Sequence, residues 1–164
     1  MTAKNTALIL LLVLFYVPAS LAKATVDLVR VVKSERKLML ISEEKVIREF
    51  KVVLGGNPMG HKQQAGDERT PEGSYVLDYK KSDSAYYKAI HISYPNADDI
   101  ASAKQRGVDP GGQIMIHGQR NGFAWLYFLS QYIDWTNGCI ALKNSDMAEL
   151  WKKVPEGTKI EILP

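Results

Sequence analysis

Apolar and polar positions change rhythm several times along the chain, and each change predicts an element. The first apolar block is continuous: residues 6–17 include Ala7-Leu8-Ile9-Leu10-Leu11-Leu12-Val13-Leu14-Phe15-Tyr16, behind a short start that carries Lys4. Pro18 and Ser20 end it, and small residues follow at Ala19, Ala22 and Ala24. A positive start, about a dozen apolar residues and a small-x-small exit describe a secretory signal peptide. The block is too short for a bilayer span, which takes roughly 20 apolar residues. Cleavage after Ala22 or after Ala24 fits. The expectation is a leader over 1–24 and one exported domain over 25–164.

From Val26 the rhythm has period two. Val26, Leu28, Arg30 and Val32 alternate with Asp27, Val29, Val31 and Lys33, which predicts a strand covered on both faces. Residues 38–41 and 46–54 predict two more strands, and the short polar breaks between them suit hairpin turns. The domain therefore opens as an antiparallel three-stranded meander. Glycines and prolines over 55–73 predict a long irregular loop, and loops of this length in a compact domain are functional or disordered. Strands resume over 74–79 and 86–93. Residues 98–106 suit a helix stopped by Gly107 and Pro110. Residues 113–117 read as a buried strand, 123–132 as a helix with an aromatic face, and 158–163 as a closing strand. Asn144 reads as the cap of a helix over 145–153, with Asp146 in its first turn. There is no internal repeat, low-complexity tract or interdomain linker. The pattern predicts one mainly β domain with a few short helices.

Charge narrows the function classes. The chain carries 21 basic and 18 acidic residues. Losing the leader removes Lys4 and Lys23, so 19 basic residues face 18 acidic ones, a balance near +1. That gives no reason to expect nucleic-acid or anionic-membrane binding. About 140 residues suffice for a single core. The chain has one cysteine, Cys139, although oxidising compartments favour pairs. A lone thiol can pair with another chain, pack as a small core residue, or do chemistry.

Two segments bear on that choice. Ile114-Met115-Ile116-His117-Gly118 delivers a histidine to the end of an apolar strand, and Thr136-Asn137-Gly138-Cys139-Ile140-Ala141 carries the cysteine out of a polar turn. A cysteine nucleophile needs a base in reach to hold it as thiolate and backbone N–H groups aimed at the developing oxyanion. Glycine before the cysteine lets a substrate carbonyl approach the backbone. The residues alone leave His117 either a base or a core histidine satisfied by a carbonyl, and Cys139 either a nucleophile or a packed thiol. A metal site fits poorly, because His61, His91 and His117 have no close ligand spacing and one thiol cannot complete a structural zinc site. No cofactor motif is present; Gly55-Gly56 lacks the spacing and the lysine of a phosphate loop.

The run Gly66-Asp67-Glu68-Arg69-Thr70-Pro71-Glu72-Gly73, the Ile116-His117-Gly118 strand end and Thr136-Asn137-Gly138-Cys139 occur in an order and spacing that resemble the L,D-transpeptidase catalytic domain family (YkuD type). The resemblance covers essentially all of 25–164. Ile92-Ser93-Tyr94-Pro95-Asn96 and Pro110-Gly111-Gly112 look like a Gram-negative branch of it, which implies a periplasmic or envelope location. It implies a β-sandwich or barrel-like domain acting on peptidoglycan stem peptides, with a wall-attached lipoprotein as a possible further partner. Cys139 then matches the nucleophile, His117 the base and Gly118 the carbonyl that orients it. Gly138 and Cys139 supply oxyanion amides, with Thr136 and Asn137 beside them in the substrate site. The implied reaction is acyl transfer at the L-centre of a diaminopimelate third residue, releasing D-Ala and passing the acyl group to an amine. With water as acceptor the same chemistry makes a carboxypeptidase or a hydrolase of protein–peptidoglycan links.

The chain also departs from the family pattern. Many members have a histidine two places before the cysteine and an arginine two after it; here Asn137 and Ala141 stand there. Arg69, Arg106 and Arg120 are the candidates for a donor carboxylate. The segment with Phe123, Trp125, Tyr127, Phe128, Tyr132 and Trp135 suits a wall over the thioester or a helix packed on the core. Histidine before cysteine argues against papain-like order, and the missing arginine against sortases. A non-enzymatic wall-binding module with a buried cysteine stays open from the residues alone.

Overall fold

The computed structural model describes residues 25–164; the leader expected over 1–24 lies outside them. Strands β1 (Leu28–Val32), β2 (Lys37–Ser42) and β3 (Lys45–Lys51) form the expected antiparallel meander. Alternation fixes its register: Val29 faces Leu40 and Leu38 faces Phe50, and all four side chains are buried. Glu43 and Glu44 both take left-handed φ at the two-residue turn between β2 and β3, the twist that such hairpins prefer. The outer face of β1 is only half-buried (Leu28, Arg30, Val32), not covered as its apolar content suggested.

The other edge of β1 pairs in parallel with the C-terminal strand β8 (Thr158–Leu163). Beyond β8 follow β4 (Gly73–Ser84), β5 (Tyr87–Ile92), β6 (Met115–His117) and the two-residue β7 (Ile140–Ala141), giving the order β3-β2-β1-β8-β4-β5-β6-β7. The sheet then curls back on itself. Val53, just past β3, exchanges backbone hydrogen bonds with Ala141 at 3.0 and 2.9 Å, and Thr136 N–H donates to Leu54 O at 3.1 Å. Mainly β and barrel-like closure are as expected, and the closure brings the cysteine turn against the start of the long loop. β4 runs five residues beyond its predicted end at Tyr79, because register shifts let its distal half continue the hairpin with β5.

Helix α1 (Ala97–Arg106) is capped by Asn96 in a reciprocal capping box with Asp99, and Gly107 closes it at φ 68°. Two helical expectations fail. Residues 123–132 form only a 3₁₀ turn (Ala124–Leu126) and one α turn, α2 (Tyr127–Ser130). The apolar positions there run all round the axis instead of along one stripe, and aromatic residues are weak helix formers. Helix α3 (Asn144–Lys153) packs Met147 and Leu150 into the core, but its cap is Lys143, without a side-chain bond. Asn144 instead accepts the Gln119 N–H on Oδ1 at 2.8 Å, so its side chain braces the chain just after His117.

Buried ions hold the loop over 55–73. Lys33, 2% exposed, donates to Gly60 O (2.7 Å), Thr70 O (3.1 Å) and the Glu72 carboxylate (2.8 Å). His61 accepts the Glu72 N–H on Nδ1 at 3.0 Å and meets Asp99 through Nε2 at 3.0 Å. Lys62, also buried, pairs with Asp67 at 2.7 Å. The loop then lies backbone to backbone on the cysteine turn. A Cβ at Gly55 would sit 2.0 Å from Glu68 O and 2.9 Å from Gly138 Cα, and one at Gly138 would sit 2.5 Å from Arg69 O. Only glycine permits that approach.

Candidate active site

His117 ends β6, opposite Ala89 of β5 and Ala141 of β7. It is 5% exposed, and its Nδ1 lies 2.7 Å from Gly118 O. A carbonyl only accepts, so Nδ1 carries the proton and the Nε2 lone pair is free. Gly118 is itself fixed. Its N–H donates to Tyr86 O and Lys88 O at 3.0 and 3.2 Å, and a Cβ there would come within 2.6 Å of Asn144 Oδ1. Tyr86 packs on the imidazole at 4.7 Å between ring centroids, with Trp135 edge-on at 5.9 Å. Burial pushes the His117 pKa down from 6.5, while the Gly118 carbonyl pulls it up, so the neutral ring is favoured.

Cys139 lies one residue before β7, beside Met115 of β6. Its sulfur accepts the Met115 N–H at 3.4 Å and stands 3.8 Å from Gln113 O, to which the thiol can donate. Burial pushes its pKa above 9.0; the Met115 N–H and the Lys62 charge pull it back. The sequence pattern suggested a thiolate held by the histidine. The environment instead favours a neutral thiol beside a neutral imidazole, because burial penalises both charged forms.

The turn before the cysteine spends two of the groups expected to serve substrate. Thr136, buried, donates its hydroxyl to Cys139 O at 2.7 Å and accepts the Gly138 N–H at 3.2 Å. Thr136 is thus a brace inside the turn, and the Gly138 amide is engaged, not free for an oxyanion. The Cys139 N–H has no acceptor among the described residues. Asn137 is exposed at the tip.

His117 and Cys139 line one cleft of about 550 Å³ with Tyr86, Trp135, Asn137 and Lys81. The three arginines proposed for a carboxylate are not in its lining. Arg69 donates to His61 O, Arg106 to Gln63 O, and Arg120 lies over the Phe123 ring. The cation at the cleft is Lys81, paired at 3.1 Å with exposed Asp83. Sequence reasoning missed Lys81, Tyr86 and the Met115 amide. Tyr86 reaches the imidazole only through β5–β6 pairing, and Lys81 only through the unforeseen extension of β4. Among the described residues no group of three or more His, Cys, Asp and Glu side chains is placed to hold a metal.

A curled β-sheet that delivers a carbonyl-oriented histidine and a cysteine into one cleft defines a candidate cysteine acyl-transfer site. The L,D-transpeptidase catalytic domain family profile (YkuD) matches residues 26–162, and the chain belongs to that family. YafK of Escherichia coli strain K12, provisionally named an L,D-transpeptidase, is 30% identical over 132 residues, covering 77% of this chain and 46% of that protein. The helical cell shape determining protein Pgp2 of Campylobacter jejuni superposes with a TM-score of 0.64 at 27% identity, covering 85% of this chain and 48% of its own. An L,D-transpeptidase from Mycobacterium smegmatis shares the fold at a TM-score of 0.55 and 17% identity, covering 86% of this chain and 59% of its own. The chain spans about half the length of YafK and Pgp2.

Proposed function

We propose that this domain is an exported peptidoglycan L,D-transpeptidase of the cell envelope, with Cys139 as nucleophile and His117 as general base. The observation that carries the reading is the Nδ1–Gly118 contact at 2.7 Å, which leaves Nε2 free in the cleft that also holds the sulfur. Nε2 takes the thiol proton as sulfur attacks the L-centre carbonyl of the third stem residue, diaminopimelate. The oxyanion gathers at the Cys139 amide. As the C–N bond breaks, the imidazolium returns the proton to the departing D-Ala amine. An acceptor amine then attacks the thioester, gives its proton to Nε2 and displaces the sulfur, which is reprotonated. Lys81 suits the carboxylate of the leaving residue, since it stands at the cleft that holds the base.

Mass spectrometry of the protein with a diaminopimelate tetrapeptide stem tests this. Release of D-Ala by wild type and not by Cys139→Ala is expected. Addition of an amine then separates cross-linking from hydrolysis by water. An unchanged stem, free or protein-linked, would sink the reading.

A further inference from the structure

A second cleft of about 460 Å³ shares Gly112 and Asn137 with the first, and neither His117 nor Cys139 lines it. Its lining includes two ionisable side chains, Lys62 and Glu68. Lys62 is buried, and its ammonium is already met by Asp67 at 2.7 Å and Gln64 O at 3.0 Å. Glu68 is exposed, and its carboxylate has no hydrogen-bond or ion-pair partner among the described residues. The cleft therefore holds one unmatched negative charge.

The backbone that carries the charge is fixed. Glu68 has φ 57°, a left-handed conformation uncommon outside glycine and asparagine, and its carbonyl lies against Gly55 in the packing that also fixes Gly138. Its Oε2 folds over Gly56, 2.7 Å from where a Cβ would stand. A non-glycine residue kept in this conformation beside a candidate nucleophile, with its charge left unpaired, is a pattern found at ligand clamps.

We infer that Glu68 and Asn137 form a subsite for the free side-chain ammonium of a diamino acid in the stem peptide. The inference rests on the reaction proposed above. His117 protonates the departing amine, so the leaving residue occupies the His117–Lys81 cleft. The side chain of the acylated residue is then left the cleft on the far side of Asn137. A diaminopimelate attacked at its L-centre keeps an ammonium beside a carboxylate at the far end of that side chain; the Glu68 carboxylate meets the ammonium, and the neighbouring carboxylate is left to solvent. The same ammonium chemistry could instead come from an acceptor strand.

The experiment compares stems whose side-chain ammonium is free or acetylated. Without an amine acceptor, wild type should release D-Ala from the free stem about five-fold faster, the scale of a solvent-exposed ion pair. Glu68→Gln should slow only the free stem and lose the preference while keeping its melting temperature. If only discharge of the thioester by an amine slows, the ammonium recognised is the acceptor's. Glu68→Gln matching wild type in both half-reactions overturns the inference. If wild type releases no D-Ala, the proposed reaction fails, and binding decides the subsite. Cys139→Ala should then bind the free stem about five-fold tighter than the acetylated one, and the double variant with Glu68→Gln should not. Equal binding of the two stems by Cys139→Ala overturns it.

Discussion

Cys139 sits between two irregular segments, one tied along its length and the other chiefly at its ends. The loop over 55–73 is nailed down by two ion pairs built on buried lysines, Lys33 with Glu72 and Lys62 with Asp67, and by the His61 ring, which meets the buried Asp99 at 3.0 Å. The segment over 118–135 is tied at its two ends: Gln119 donates to Leu142 O at 2.8 Å, Asn121 accepts the Tyr87 N–H at 2.9 Å, and Asp134 pairs with Arg36 at 2.6 Å and accepts the Leu54 N–H at 2.9 Å. Between those ties it turns large apolar side chains to solvent, with Trp125 67% and Tyr132 78% exposed. One wall of the site is rigid and carries the Gly138 turn. The other has little core packing to lose and is free to reshape around a substrate. Dense polar ties and sparse apolar packing thereby flank the candidate nucleophile on its two sides.

The contrast breaks most readily at Lys33. Lys33→Ala strips a buried cation from Glu72 and leaves the Gly60 and Thr70 carbonyls without their donor, a change that costs about 3 kcal/mol or more. Urea unfolding should show a large fall in midpoint, with acyl transfer lost as the loop leaves the cysteine turn. Gly55→Ala comes next. A methyl 2.0 Å from Glu68 O must push two backbones apart, at a cost of about 1–3 kcal/mol. It should also lower kcat, because Gly138 Cα is the other wall of that contact. A Gly55→Ala protein with unaltered turnover would mean that the loop does not position the nucleophile.

The pH response sharpens the view of the site itself. His117 is depressed below 6.5 by burial, so its folded-state contribution is full above 6.5 and is lost as pH falls through that value toward the lowered one. Cys139 is raised above 9.0, so its contribution is full below 9.0 and is lost as pH rises toward the raised value. Stability should therefore be greatest between the two. Alkylation by iodoacetamide should accelerate only above pH 9.0, because a neutral thiol is the resting form. A reactive plateau at acidic pH would instead report a thiolate–imidazolium pair and contradict the neutral resting state.

Much of this architecture was legible because period-two alternation is a direct consequence of a sheet with one buried face. The meander, β8 and α1 with its stop at Gly107 all follow from local signals. His117 and Cys139 were also marked locally, one by a strand end and one by a glycine turn. The polar placements that were missed depend on how the chain closes. Asn144 has the chemistry of a helix cap but finds the Gln119 N–H across the fold. Thr136 and Gly138 satisfy each other once the turn closes. Lys33 stands at the end of the first strand, where nothing local names the loop carbonyls and carboxylate that it meets. Polar side chains choose among partners that only tertiary structure assembles, whereas apolar periodicity needs no partner to be read.

The smallest expected effect tests the yielding wall. Trp125→Ser and Ile133→Ser remove side chains that are mostly in solvent, 67% and 66% exposed. Surface changes of this kind stay within about 0.5 kcal/mol, so melting temperature should hardly move. Exposed apolar side chains gathered together, as at Phe123, Trp125, Phe128, Leu129, Tyr132 and Ile133, are the kind of surface that marks contact sites, and this segment leads into Trp135 at the cleft. The two variants should therefore leave stability intact while raising KM for a stem attached to its glycan more than for the free tetrapeptide. A clear loss of stability would show that these side chains pack in solution, and the middle of this wall would then be held as firmly as its ends.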